Sequence, residues 1–235
     1  MKTISAAIAT PDMPIDPGVQ LVVFPGVDRD AIRSRDGADL ITQAAAYAAL
    51  RRVFVVAGLY IKNNTLCLGL LDEQGQLVLE QAATHLNPTW TAGLQQGYEI
   101  RVVDTPLGKI ALCVDVDVYK GEVMRIAALQ GAEIVVSCQV IPSQDYHRSM
   151  ILAGAWQQAQ QNCLFVINAN NLNGSIIGPC ETTTDLSGFL AEISSEYPLQ
   201  ALLSAEKRAA AYRSFPIFKS LNPPLYHRHQ DELCQ

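Results

Sequence analysis

GKIALCVDVDVYKGEVMRIAALQGAEIVVSCQV, residues Gly108–Val140, reads as a strand, a sharp turn, a helix and a second strand. Lys109–Val116 is a short apolar run rich in Ile, Leu and Val, the composition of a buried strand. Over Glu122–Leu129, Val123, Ile126, Ala127 and Leu129 fall close to a helical period, and Gly131 stands where a helix stops. Ile134–Ser137 begins the next buried strand. In layered α/β proteins, chemistry sits at the carboxyl end of a strand, where the chain turns into a helix. Here that place is Asp115–Glu122.

The chain on either side repeats the alternation. Thr3–Thr10 and Leu21–Phe24 read as strands, and Pro11, Pro14 and Pro17 exclude a regular helix between them. Asp39–Leu50 is an alanine-rich helix. Val53–Gly58 is a strand, and Thr65–Leu71 and Gln76–Glu80 flank the turn Asp72-Glu73-Gln74-Gly75 as a hairpin. Ala83–Gly97 is irregular, and Ile100–Val103 is a further strand before the central unit. After it come a polar loop, Pro142–Ser149, a helix over Met150–Gln161, a strand at Leu164–Asn168, and a hairpin from Gly174–Ile177 and Gly188–Ile193. The tail begins as a helix near Ser204 and ends rich in proline and basic residues. Strands alternating with helices predict an α/β layered protein, and 235 residues without an internal repeat predict a single domain over 1–235.

Composition narrows the partners. An apolar fraction of 49% with 17% charged residues is that of a globular chain with a large interior. A net charge of −6 argues against nucleic acid or an anionic membrane. The N-terminal run MKTISAAIAT is too short and too soon followed by Asp12 for a signal peptide, and no apolar run reaches a membrane span. Cys67, Cys113, Cys138, Cys163, Cys180 and Cys234 are scattered, with no spacing for zinc, so no metal or other cofactor is expected and a reducing cytoplasm fits best.

Several stretches in order resemble the nitrilase, or carbon–nitrogen hydrolase, superfamily. Gly108-Lys109-Ile110, Asp117, Glu122 and Ala128–Glu133 match its GKIG…CYDxxFPE…ALQGAE segment. Leu21–Gly26 resembles LVVFPE, Ala83–Leu86 resembles KTHL, and Val102–Leu112 is close to FDTPxGKIGL. Tyr212–Pro216 and Asn222–Tyr226 resemble the family's ending. The resemblance implies a four-layer α-β-β-α sandwich, here with the first helix shortened or missing, that pairs as a homodimer or higher homo-oligomer.

The resemblance also implies a chemistry: a cysteine thiolate attacks an amide or nitrile carbon, a glutamate is general base, and a lysine stabilises the developing charge. The matching positions hold Asp115 for the cysteine, Gly26 for the glutamate and Ala83 for the lysine. The loop Asn87–Gly97 contains no acid to match a further family glutamate. The expectation is a protein inactive as a thiol hydrolase that binds a small-molecule ligand, for which Asp115 and Cys138 are candidates, or a partner. The alternative is an active hydrolase of amide, carbamoyl or nitrile bonds with a rewired site drawing on Cys113, Glu122 or His147. A third reading is a structural subunit for an active paralogue.

The residues also have plainer readings. Asp115 could be a carboxylate satisfied by backbone N–H groups at the turn, with its pKa raised if the site is dry. Strand alternation puts Cys113 on the same side as Asp115, where it reads as an inert buried thiol. His85 and His147 lack the third partner of a relay, and Trp90 and Trp156 read as packing residues.

Overall fold

A computed structural model describes residues 2–228. Two six-stranded sheets lie face to face. The first contains β1 (Thr3–Ile8), β2 (Leu21–Val23), β3 (Phe54–Lys62), β4 (Thr65–Leu71), β5 (Leu77–Ala82) and β12 (Leu199–Ser204), in the order β12-β1-β2-β3-β4-β5. The second contains β6 (Val102–Thr105), β7 (Gly108–Val114), β8 (Ile134–Gln139), β9 (Phe165–Asn170), β10 (Gly174–Ile177) and β11 (Phe189–Ser194), in the order β11-β10-β9-β8-β7-β6. At the centre of each sheet three strands run parallel, β1–β2–β3 in one and β7–β8–β9 in the other. All the remaining pairings are antiparallel.

Side-chain alternation sorts the apolar residues into layers. In β8, Ile134, Val136 and Cys138 enter the core between the sheets, with Ile8, Val23, Leu68 and Ile110. Val135, from the same strand, packs outward with Met124, Ala127 and Ala159. Those last residues belong to α3 (Gly121–Leu129) and to a helical run made of α4 (Arg148–Ile151), a π turn (Leu152–Trp156) and α5 (Gln157–Asn162). The outer face of the first sheet is covered by α2 (Gly37–Arg51) through Leu40, Ala44, Tyr47 and Ala48. The result is helix, sheet, sheet, helix, as the resemblance implies.

No helix lies between β1 and β2, as the three prolines require. The Asp72–Gly75 hairpin forms as expected, with Gly75 at φ +79° and its Cβ position only 2.6 Å from the Ala45 carbonyl oxygen. Two elements before the tail escape the sequence reading. One is the short helix α1 (Arg29–Ser34), which buries only Ile32. The other is β12, which pairs antiparallel with β1 from Thr3↔Ser204 to Ile8↔Leu199. Its burial is mixed along the strand, so no period-2 pattern marks it. The tail helix follows as α6 (Ala205–Ser214), and α7 (Pro223–Arg228) closes the described chain. His229 and Cys234 lie outside the described residues.

Candidate functional site

The central unit folds as its pattern dictates, and its turn is sharp. β7 ends at Val114, and Asp115 adopts φ +53°, a left-handed conformation that aspartate tolerates better than most residues. A 3₁₀ turn over Asp115–Tyr119 then leads into α3. This break corrects the alternation argument for Cys113. Cys113 packs outward beneath α3, whereas Asp115, having left the strand, turns its carboxylate to Trp90 of the inter-sheet core.

Asp115 is 1% exposed. Its Oδ1 accepts the Val140 N–H at 3.0 Å and its Oδ2 accepts the Trp90 indole N–H at 3.2 Å. Burial pushes its pKa up to about 6, against the pull of these two bonds and one from the Val116 N–H. The expected backbone donors at the turn are not what chiefly holds the carboxylate: its two principal hydrogen bonds come from Val140, just after β8, and from the Trp90 indole.

Asp117, equally buried, fastens the loop after β5 to the elbow. Its Oδ2 accepts the Thr84 N–H at 2.9 Å, and its Oδ1 accepts the Thr84 hydroxyl and the His85 N–H, each at 2.8 Å. His85 lies between two carboxylates: Nδ1 is 3.0 Å from Asp117 Oδ1 and Nε2 is 3.4 Å from Glu122 Oε1. The sequence reading missed this because residues 85 and 117 meet only when the two sheets pack.

The other two positions that the resemblance singled out are Ala83 and Gly26. Ala83 is fully buried, its N–H donating to the Leu66 carbonyl and its carbonyl accepting from the Gly97 N–H. At Gly26, an added Cβ would stand 2.7 Å from both the Asn170 carbonyl carbon and the Asn171 nitrogen. That distance is inside van der Waals contact with backbone that cannot swing away.

Trp90 closes the space over the elbow. It is 4% exposed, and the Arg33 guanidinium donates to its carbonyl oxygen. Above it lies a cavity of about 200 Å³ lined by Asp28, Asp30, Trp90, Val140, Gln144 and Asn171. Asn171 braces this mouth, donating to Asp28 Oδ1 and to the Ile141 carbonyl, each at 3.0 Å, and accepting the Ile141 N–H at 2.8 Å.

The remaining candidates do not gather around Asp115. Cys138 is fully buried in the inter-sheet core, and desolvation raises its thiol to about 12. Burial raises Cys113 well above an ordinary thiol, with Asp117 adding to the effect. Glu122 is largely exposed beside His85. His147 caps α4 on the surface, with Nδ1 against the Ser149 hydroxyl. A thiolate needs an accessible, electropositive setting, and neither Cys113 nor Cys138 has one. Among the described residues, no group of three or more His, Cys, Asp or Glu side chains is placed to hold a metal ion. None of the described helices is long and apolar enough to cross a membrane.

The carbon-nitrogen hydrolase family model matches residues 33–204. The fold is similar to that of Saccharomyces cerevisiae Nit3, a member of branch 10 of the nitrilase superfamily, with a TM-score of 0.77 at 16% identity over 93% of this chain and 96% of that one. A carbon-nitrogen hydrolase from Helicobacter pylori G27 superposes with a TM-score of 0.76 at 18% identity, covering 96% of this chain and 97% of that one. The NitN amidase from Nesterenkonia sp. AN1 does so with 0.72 at 18% identity, covering 97% and 99%.

Proposed function

This chain belongs to the carbon-nitrogen hydrolase family, and we propose that it performs no thiol-based hydrolysis and serves as a binding protein, assembled as a homodimer or higher homo-oligomer. The observation that carries the reading is at Gly26. The position matching the family's general base is closed by the backbone of Asn170 and Asn171, so a side chain has no room there. Support comes from the other two positions. Ala83 offers no cation to a developing negative charge, and Asp115 is sealed beneath Trp90. Loss of a single charge-stabilising donor typically costs about 10²–10³ in rate, and here base, cation and thiol are all replaced.

The test is turnover by the purified full chain on simple amides, carbamoyl compounds and nitriles. The expected result is release of ammonia no faster than from the buffer. Turnover that disappears when thiols are alkylated would overturn the proposal. The rewired alternative has a separate signature: an electrophilic probe would label one of Asp115, Cys113, Glu122 or His147 ahead of all other residues. With Asp115 and Cys113 each 1% exposed, the expected pattern in the native protein is no such preference.

A further inference from the structure

The two sheets leave their outer strands β5 and β6 on the same side of the sandwich, and each pairs on one side only, β5 with β4 and β6 with β7. A trough of about 580 Å³ runs between them, walled by Leu77–Glu80 on one side and Glu99–Val103 on the other. It continues past Val78 and Val103 into a second hollow of about 220 Å³ at the Asp72–Gln74 turn. The two walls differ in how their backbones are satisfied. On the far wall two glutamines stand in for a neighbouring strand: Gln81 donates to the Glu99 carbonyl and accepts the Arg101 N–H, and Gln130 donates to the Ile100 carbonyl. On the near wall, the backbone of Leu77–Glu80 makes no hydrogen bond among the described residues beyond its pairing with β4. Here Leu77 and Val78 are 39% and 36% exposed.

An open strand edge carrying exposed apolar side chains is a template for another strand. The charge around it selects the kind of strand. Glu80 is neutralised by Lys62 at 2.9 Å, Glu99 by Arg101 at 2.9 Å, and Asp104 faces Lys109 at 3.7 Å. Asp72 and Glu73, at the hairpin end, face no cation among the described residues. The trough therefore sets the apolar Val78 and Val103 beside an acidic end. A second copy of the chain would bring an edge of the same sign against it.

We propose that this trough is a docking site for an extended basic peptide segment of a partner protein, added as a strand along β5. Its apolar residues lie on Val78 and Val103, and a lysine or arginine reaches Asp72 and Glu73. Main-chain hydrogen bonds supply affinity in this mode, and alternate side chains supply specificity. The site gives the binding role proposed above a location and a partner class. It does not depend on whether the elbow is catalytic.

Fluorescence anisotropy with a labelled, end-blocked heptapeptide of alternating valine and lysine tests it on the full chain. Saturable binding that weakens with salt is expected. Binding should fall at least about tenfold when glutamate replaces lysine in the peptide, or when proline replaces its central residue. Glu73→Lys combined with Val78→Lys should cost about tenfold or more, while Glu206→Lys, a charge reversal on the exposed face of α6, leaves the affinity unchanged. No saturable binding, or equal affinity for the proline peptide, overturns the proposal. So does an equal loss of binding on Glu206→Lys, which makes the attraction one of net charge alone. Sedimentation that shows a dimer dissociated by Val78→Lys makes a second copy the occupant and overturns it as well. Each of these results is read separately from the turnover assay, which tests the catalytic reading.

Discussion

Replacing Asp115 with asparagine isolates the cost of holding a carboxylate in the sealed elbow. In the folded protein burial raises this carboxyl from 3.8 to about 6, so between those values the folded state binds a proton that the unfolded state has released. Stability from this group is therefore highest below pH 3.8, falls as pH rises through the window, and is fully reduced above about 6. The difference, about 6 minus 3.8, is roughly two pH units and corresponds to about 3 kcal/mol, against which the bonds from Val140 and Trp90 are already counted. Asparagine does not ionise, so the variant lacks this slope. Whatever fixed amount it loses by offering one acceptor oxygen to two donors is the same at every pH. Urea denaturation of both proteins from pH 4 to pH 8 reads the comparison directly. The variant should gain about 2.4 kcal/mol relative to wild type between pH 4 and pH 7, because part of the window is already crossed at pH 4, or roughly 5–10 °C in melting temperature for a chain of this size. Other titrating groups cancel in the difference. Parallel pH profiles for the two proteins would refute the reasoning, because they would mean that Asp115 is neither desolvated nor ionised alone.

Other consequences of the structure are open to measurement. Trp90→Phe removes the indole N–H from Asp115 Oδ2 and should cost about 1–3 kcal/mol in chemical denaturation at pH 7, with less lost at pH 4, where the carboxyl is protonated. Gly26→Ala places a Cβ 2.7 Å from backbone at Asn170–Asn171 and should destabilise by about 1–3 kcal/mol, visible as a lowered melting temperature. Asp117→Ala frees the loop after β5. Hydrogen exchange should show the Thr84 and His85 amides losing protection while those of β8 keep theirs. In native thiol titration, Cys180 should react ahead of the buried Cys67, Cys113, Cys138 and Cys163, which become available only on unfolding.

How far the chain could be read in advance depended on the range of the interaction. Strands β4 and β8 and helices α2 and α3 carry their own signals: apolar runs, alanine-rich periodicity, and glycines at turns and stops. The strand β12 carries none, because its place is set by pairing with β1 from the other end of the chain. Asp115, Gly26 and Ala83 were singled out in the sequence by the resemblance alone. Trp90 read only as a packing residue, since nothing local links it to an aspartate 25 positions away. The clasp of His85 between Asp117 and Glu122 was illegible for the same reason.

The sequence by itself determined the alternation of strands and helices and the helix-free connector between β1 and β2. These follow from backbone propensity and residue chemistry, which each position carries alone. The tertiary structure alone decided the surroundings of Gly26, Ala83 and Asp115. Packing brought Asn170–Asn171 against Gly26, turned Asp115 away from the face of Cys113, and set Trp90 over its carboxylate. It also left the edges of β5 and β6 open along one trough. Burial of one carboxylate and exposure of one edge are properties of segments far apart in the chain, and they exist only once the sheets have come together.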